Sequence, residues 1–168
     1  MKWIFAFTTA LLLASCTRTV YVVRHAEKAV LSDSLPNMSK TDPPLSEAGK
    51  VRAIVLRELL KKKHIQHIYS TNYIRTFYTA DPLSKAIGVN IQAYADVDSL
   101  VNVVKNQKGN ILIVGHSNTV DDIVNKLTGT TNVAGDLKDT EYDNLFVIKF
   151  RGRKAMFEKR KYGYPSNP

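Results

Sequence analysis

Thr19-Val20-Tyr21-Val22-Val23-Arg24-His25-Ala26-Glu27-Lys28 is the stretch on which the fold turns. Its first half is β-branched and nearly continuous, the pattern of a strand buried on both faces of a parallel sheet. Its second half turns abruptly to charge and imidazole. Working outward, Pro36, Asn37, Pro43 and Pro44 mark the following segment as a loop. Ser46 is placed to cap a helix reaching about Lys63, with Val51, Ile54, Val55, Leu59 and Leu60 expected inward.

Strands are then expected at Ile65 to Tyr69, Ile91 to Tyr94 and Asn110 to Gly115. Helices are expected at Tyr73 to Ile87, closed by Gly88 and kinked at Pro82, at Ser99 to Val104, and at Asn118 to Leu127. Leu145 to Phe150 and Lys154 to Lys159 read as a hairpin around Arg151-Gly152-Arg153. Alternating strand and helix predicts an α/β fold, a three-layer α/β/α sandwich on a mostly parallel central sheet.

The chain has 168 residues, a formal net charge of +9, 44% hydrophobic residues and a single cysteine. That is enough chain for one domain with a core of its own. One Cys excludes an intrachain disulfide and a Cys-rich zinc site. No glycine-rich nucleotide-binding run is present. Residues 1–15 carry Lys2 and an apolar run from Trp3 to Ala14, too short to span a membrane as a mature helix and of the length of a secretory signal. Leu13-Ala14-Ser15-Cys16 resembles a bacterial lipobox. The resemblance implies a signal peptide over 1–15, a domain over 16–168, lipidation of Cys16, and an exported chain anchored to a bacterial membrane.

Three motifs follow three expected strands: Arg24-His25-Ala26-Glu27-Lys28, Ser70-Thr71-Asn72-Tyr73-Ile74-Arg75-Thr76 and Gly115-His116-Ser117-Asn118-Thr119. Sites in open parallel sheets form at the carboxyl ends of strands. Two imidazoles and two guanidiniums on one rim suit a phosphoryl group, because Arg forks match its oxygens and a neutral imidazole can attack phosphorus.

With Pro44-Leu45-Ser46-Glu47-Ala48-Gly49, these motifs resemble the histidine phosphatase superfamily, the phosphoglycerate-mutase-like fold. The resemblance implies that His25 is the nucleophile and that Arg24, Arg75 and His116 hold the transferred phosphoryl oxygens. His116 would be kept protonated by the bound phosphate, and Ser117 and Asn118 would complete the oxygen shell. It implies a phosphomonoester hydrolase with a small phosphorylated substrate, no metal and no cofactor.

The proton donor to the leaving group is less specified. Ser117 stands where one branch of the family has Asp, so Asp96 is the first candidate, with Asp98 and Glu27 as alternatives. Tyr78 is expected to pack on its helix, and Asp121 and Asp122 to be solvated. His64 and His67 read as surface residues, and the basic C-terminal residues as neighbours of lipid headgroups in preference to nucleic acid. A phosphate-binding lipoprotein without activity, or a phosphotransferase or mutase, could be built on the same residues.

Overall fold

The computed structural model describes residues 17–30, 39–152 and 154–166. Cys16 and the signal-like segment before it lie outside the described residues, as does Arg153 of the expected hairpin turn. The elements run β1 (Thr17–Arg24), α1 (Glu47–Leu60), β2 (Ile65–Ser70), α2 (Ile74–Ile87), β3 (Ile91–Ala93), α3 (Val97–Asn106), β4 (Asn110–Gly115), α4 (Val120–Thr128), β5 (Asn144–Arg151) and β6 (Lys154–Lys161).

The strands form one sheet in the order β3-β2-β4-β1-β5-β6. β1, β4, β2 and β3 are mutually parallel, while β5 and β6 close one side as an antiparallel hairpin. Alternation along the central strands divides the core in two. Val20, Val22, Ile111 and Ile113 face α3 and α4 through Leu100, Val104, Ile123 and Leu127. Tyr21, Val23, Leu112 and Val114 face α1 and α2 through Leu56, Leu60, Ala80 and Leu83. The expected α/β/α sandwich is therefore the observed one.

Local chemistry explains most boundaries. Ser46 caps α1 by accepting from the Gly49 N–H at 3.1 Å. Gly88 ends α2 with φ +69°, a conformation that suits glycine. Asp96 starts α3 by accepting from the N–H groups of Asp98 and Ser99.

The inward face of α1 differs from expectation. Val51, Ile54 and Leu59 are exposed, and the buried positions are Gly49, Arg52, Ala53, Leu56 and Leu60. The face is set by Arg52, which is buried because the Glu27 carboxylate meets its Nε and Nη2 at 2.6–2.9 Å. The carbonyls of Tyr162 and Tyr164 take its other N–H groups. Gly49 allows the same approach: a Cβ there would lie 2.2 Å from the Glu27 carbonyl oxygen. A second correction concerns Asp121, which is buried in the first turn of α4 and not solvated.

Candidate active site

β1 and β4 are neighbours, yet the helices that follow them lie on opposite faces of the sheet: α1 with one half of the core, α4 with the other. This is a topological switch point, where parallel sheets leave a crevice. Arg24 pairs with Gly115 across it, and the His25 N–H donates to the Gly115 carbonyl at 2.9 Å. The tight turn after β4 requires Gly115, since a Cβ would come within 2.8 Å of Thr119 Oγ1. His25 and His116 thereby leave adjacent strand ends with ring centroids 5.4 Å apart. Arg75, in the first turn of α2, joins them from the end of β2. The cavity they share holds about 420 Å³ and is also lined by Arg24, Thr71, Tyr73, Ser117 and Asn118.

Arg24 is 2% exposed. Its Nη1 donates to the carbonyls of Lys138, Asp139 and Glu141 at 2.7–3.3 Å, and Tyr142 lies flat beneath the guanidinium at 4.2 Å. Its Nε has no partner. A buried N–H left unpaired is costly, so the guanidinium is fixed on one side and unsatisfied on another.

His25 is buried too, and its Nδ1 lies 2.8 Å from the Ala26 carbonyl. That oxygen can only accept, so Nδ1 carries the hydrogen and Nε2 keeps its lone pair. Burial, with the nearby positive charges, pulls the pKa of His25 down to about 3. His116 is fixed from both sides. Arg75 Nη2 donates to its Nδ1 at 3.3 Å, which leaves Nε2–H to donate to Thr71 Oγ1 at 2.8 Å. Burial first, then Arg75 and Arg24, lowers the pKa of His116 to about 4. Both imidazoles are neutral at pH 7 in this structure.

Arg75 is held by Asp42 at 3.1 Å and lies over the Tyr73 ring at 4.6 Å. Both oxygens of Asp42 also accept from the Ile74 N–H at 3.0 Å, which ties the loop before α1 to the start of α2.

Arg24, His25, Arg75, His116, Ser117 and Asn118 are thus brought to one hollow. Asp96 is not. It is spent as the cap of α3, with the Ser99 and Asp98 hydrogen bonds holding its carboxyl below the usual range. Asp98 is paired with Lys126 at 2.6 Å, and Glu27 with Arg52. The carboxylate that does line the cavity, among the described residues, is Asp139, whose Oδ1 lies 3.4 Å from Arg24 Nη2. Tyr78 packs on its own helix, edge-on to Phe77, and is exposed.

Thr71, Tyr73, Asp42, Tyr142 and Asp139 carry no signal of their own in the sequence. Thr71 and Tyr73 fall within a quoted motif, but Asp139 and Tyr142 reach Arg24 from more than a hundred residues away.

A hollow with a neutral, oriented imidazole beside a second imidazole and two guanidiniums defines a phosphoryl-handling site. Residues 20–100 match the family model of the histidine phosphatase superfamily, branch 1. The matched stretch contains Arg24, His25 and Arg75, and His116 lies beyond it. The hollow and this match support chemistry of the phosphatase or mutase kind.

Solved structures share the fold at low identity. The protein histidine phosphatase SixA complexed with tungstate superposes with a TM-score of 0.67 at 15% identity, over 85% of this chain and 96% of that one. A mycobacterial glucosyl-3-phosphoglycerate phosphatase gives 0.64 at 12%, covering 87% and 98%. Phosphoglycerate mutase from Bacillus anthracis gives 0.58 at 15%, covering 87% and 93%. No curated protein matches the chain in sequence.

Proposed function

We propose that the chain is a phosphomonoester hydrolase that works through a phosphohistidine at His25. The observation that carries this reading is the pairing of two groups in one hollow. One is the buried guanidinium of Arg24, held at the cavity wall by the carbonyls of Lys138, Asp139 and Glu141. The other is a neutral His25 whose Nδ1–H is committed to Ala26, so that Nε2 is free to attack.

Nε2 of His25 attacks phosphorus, the P–O bond to the leaving group breaks, and the departing oxygen takes a proton. Water then attacks the phosphohistidine, the P–N bond breaks, and inorganic phosphate leaves as Nε2 regains its lone pair. Arg24, Arg75 and His116 hold the oxygens on which charge spreads in the transition state. A bound phosphoryl dianion opposes the lowering of the His116 pKa, since it offers the negative charge that the guanidiniums beside His116 lack. His116 is then a protonated donor to an oxygen while His25 stays neutral. Asp139, at the rim, is the carboxylate within this hollow that can pass a proton to a poor leaving group. In the same reading, residues 1–15 direct export, Cys16 bears lipid, and the substrate is a small phosphate ester met at a membrane.

The test is turnover of p-nitrophenyl phosphate by the wild type and by His25→Ala. The proposal requires turnover that His25→Ala abolishes. Phosphate binding without turnover by the wild type would mark a binding protein, and transfer to an added alcohol in preference to water would mark a transferase. Incorporation of labelled palmitate that Cys16→Ala removes tests the anchor.

A further inference from the structure

The end of the sheet opposite the active site is built differently. β1, β2 and β4 run parallel, so their starts share one edge, and each helix runs back towards it from the site. β5 is antiparallel and ends there, with Arg151 opposite Thr17, and β6 begins there opposite Arg151. Lys62, Lys63, Lys105, Lys108, Arg151 and Lys154 all fall at this edge and are exposed.

These basic stretches are stitched to the start of β1. The Asn110 amide donates to the Lys63 carbonyl at 2.7 Å and accepts from the Thr19 N–H at 2.8 Å. The Arg18 guanidinium donates to the carbonyls of Val104, Gln107 and Lys105 at the end of α3. A hollow at the same edge is lined by Arg18, Lys149, Arg151 and Met156.

Charge is sorted along the strand axis. Among the described residues, none of the six exposed cations has a carboxylate within 4 Å, while Glu58, Asp98 and Glu158, the acids nearest them in sequence, are engaged by other cations. Asp42, Glu47, Asp96, Asp121, Asp139 and Glu141 all lie towards the site end. Helix direction favours this sorting, since each C-terminus carries a negative partial charge.

We propose that this basic edge rests on an anionic lipid surface and that the active site faces away from it. Thr17 opens β1 at this edge, and Cys16 and the apolar run Trp3 to Ala14 precede it in sequence. A lipid on Cys16 or a retained apolar segment delivers the same edge to the bilayer, so the inference rests on the membrane part of the proposed function and not on the chemistry at His25. Apolar anchoring beside the cations favours lipid over nucleic acid, because several lysines next to one hydrophobic anchor make a two-signal membrane attachment.

The experiment is lysine footprinting of the full chain with an amine-reactive reagent, read by mass spectrometry, on phosphatidylglycerol–phosphatidylcholine vesicles, on pure phosphatidylcholine vesicles, and with a DNA duplex. The proposal expects Lys62, Lys63, Lys105, Lys108 and Lys154 to be protected on the anionic vesicles, while Lys28, Lys40 and Lys138 at the site end stay reactive. It also expects K62E/K63E/K108E/K154E to reduce the preference for anionic over neutral vesicles by about 1,000-fold. That variant should keep its circular dichroism spectrum and its turnover of p-nitrophenyl phosphate.

A chain that sediments with vesicles but shows protection at the site end, or equally on neutral lipid, overturns the edge assignment and leaves the anchor standing. A chain that sediments with neither vesicle overturns both. Protection by the duplex alone assigns the edge to nucleic acid.

Discussion

Replacing Thr71 with Val isolates one hydrogen bond of the site. Thr71 Oγ1 accepts from His116 Nε2 at 2.8 Å and donates to Thr76 Oγ1 at 3.0 Å. Valine keeps the shape and removes both functions. Thr76 still donates to the carbonyls of Thr71 and Tyr73, so the fold keeps its local bonds and stability should fall by only about 1 kcal/mol. The barrier rises by what the bond gains in the transition state. A hydrogen bond from a charged imidazole is worth about 2 kcal/mol against about 1 kcal/mol from the neutral ring. Losing it raises the barrier by about 1 kcal/mol, or about fivefold in rate.

Steady-state kinetics with p-nitrophenyl phosphate, alongside urea denaturation, measure both quantities. The loss should fall on kcat with KM little changed, because His116 is asked to hold charge that develops in the transition state. A kcat/KM within about threefold of wild type would refute the reasoning, since the orientation of His116 would then not depend on this bond.

Glu27→Gln should destabilise the chain by about 3 kcal/mol in urea, because it leaves the buried Arg52 facing an uncharged partner; a loss under about 1 kcal/mol would contradict the pairing. Ring-proton NMR titration should show His25 and His116 neutral down to about pH 5, given values of about 3 and about 4. Lowered values mean that the unfolded chain takes up protons first as pH falls below 6.5, so these two histidines make stability decline on acidification; added inorganic phosphate should move His116 upward. Asp96→Asn, which keeps a capping side chain, should leave kcat unchanged. Asp139→Asn should slow alkyl phosphates more than p-nitrophenyl phosphate, and equal losses on both would remove Asp139 as proton donor.

Strands were legible where burial on two faces forces a β-branched run, as at Val20 to Val23 and Ile111 to Val114. Caps were legible where one side chain satisfies helix N–H groups, as at Ser46, and where glycine takes a left-handed turn, as at Gly88. Arg24 ends its strand, His25 and His116 directly follow theirs, and Arg75 lies beyond its own in the first turn of α2.

What periodicity misplaced was the face of α1, because a buried ion pair put Arg52 where a hydrophobic residue was expected. Asp96 looks like a proton donor in sequence because a helix cap and a general acid use the same carboxylate; only the backbone geometry distinguishes them. The supports of Arg24 come from residues 138–142, a contact between distant parts of the chain that no local pattern encodes.

The central claim is a covalent bond from His25 Nε2 to phosphorus. Acid- and base-quenched reaction with a radioactive phosphate ester, followed by peptide mapping, tests it directly. The account predicts label on the His25 peptide that survives base and is lost in acid, and none in His25→Ala. Turnover of the ester with no label trapped on His25 under rapid quench, or turnover that persists in His25→Ala, would contradict it.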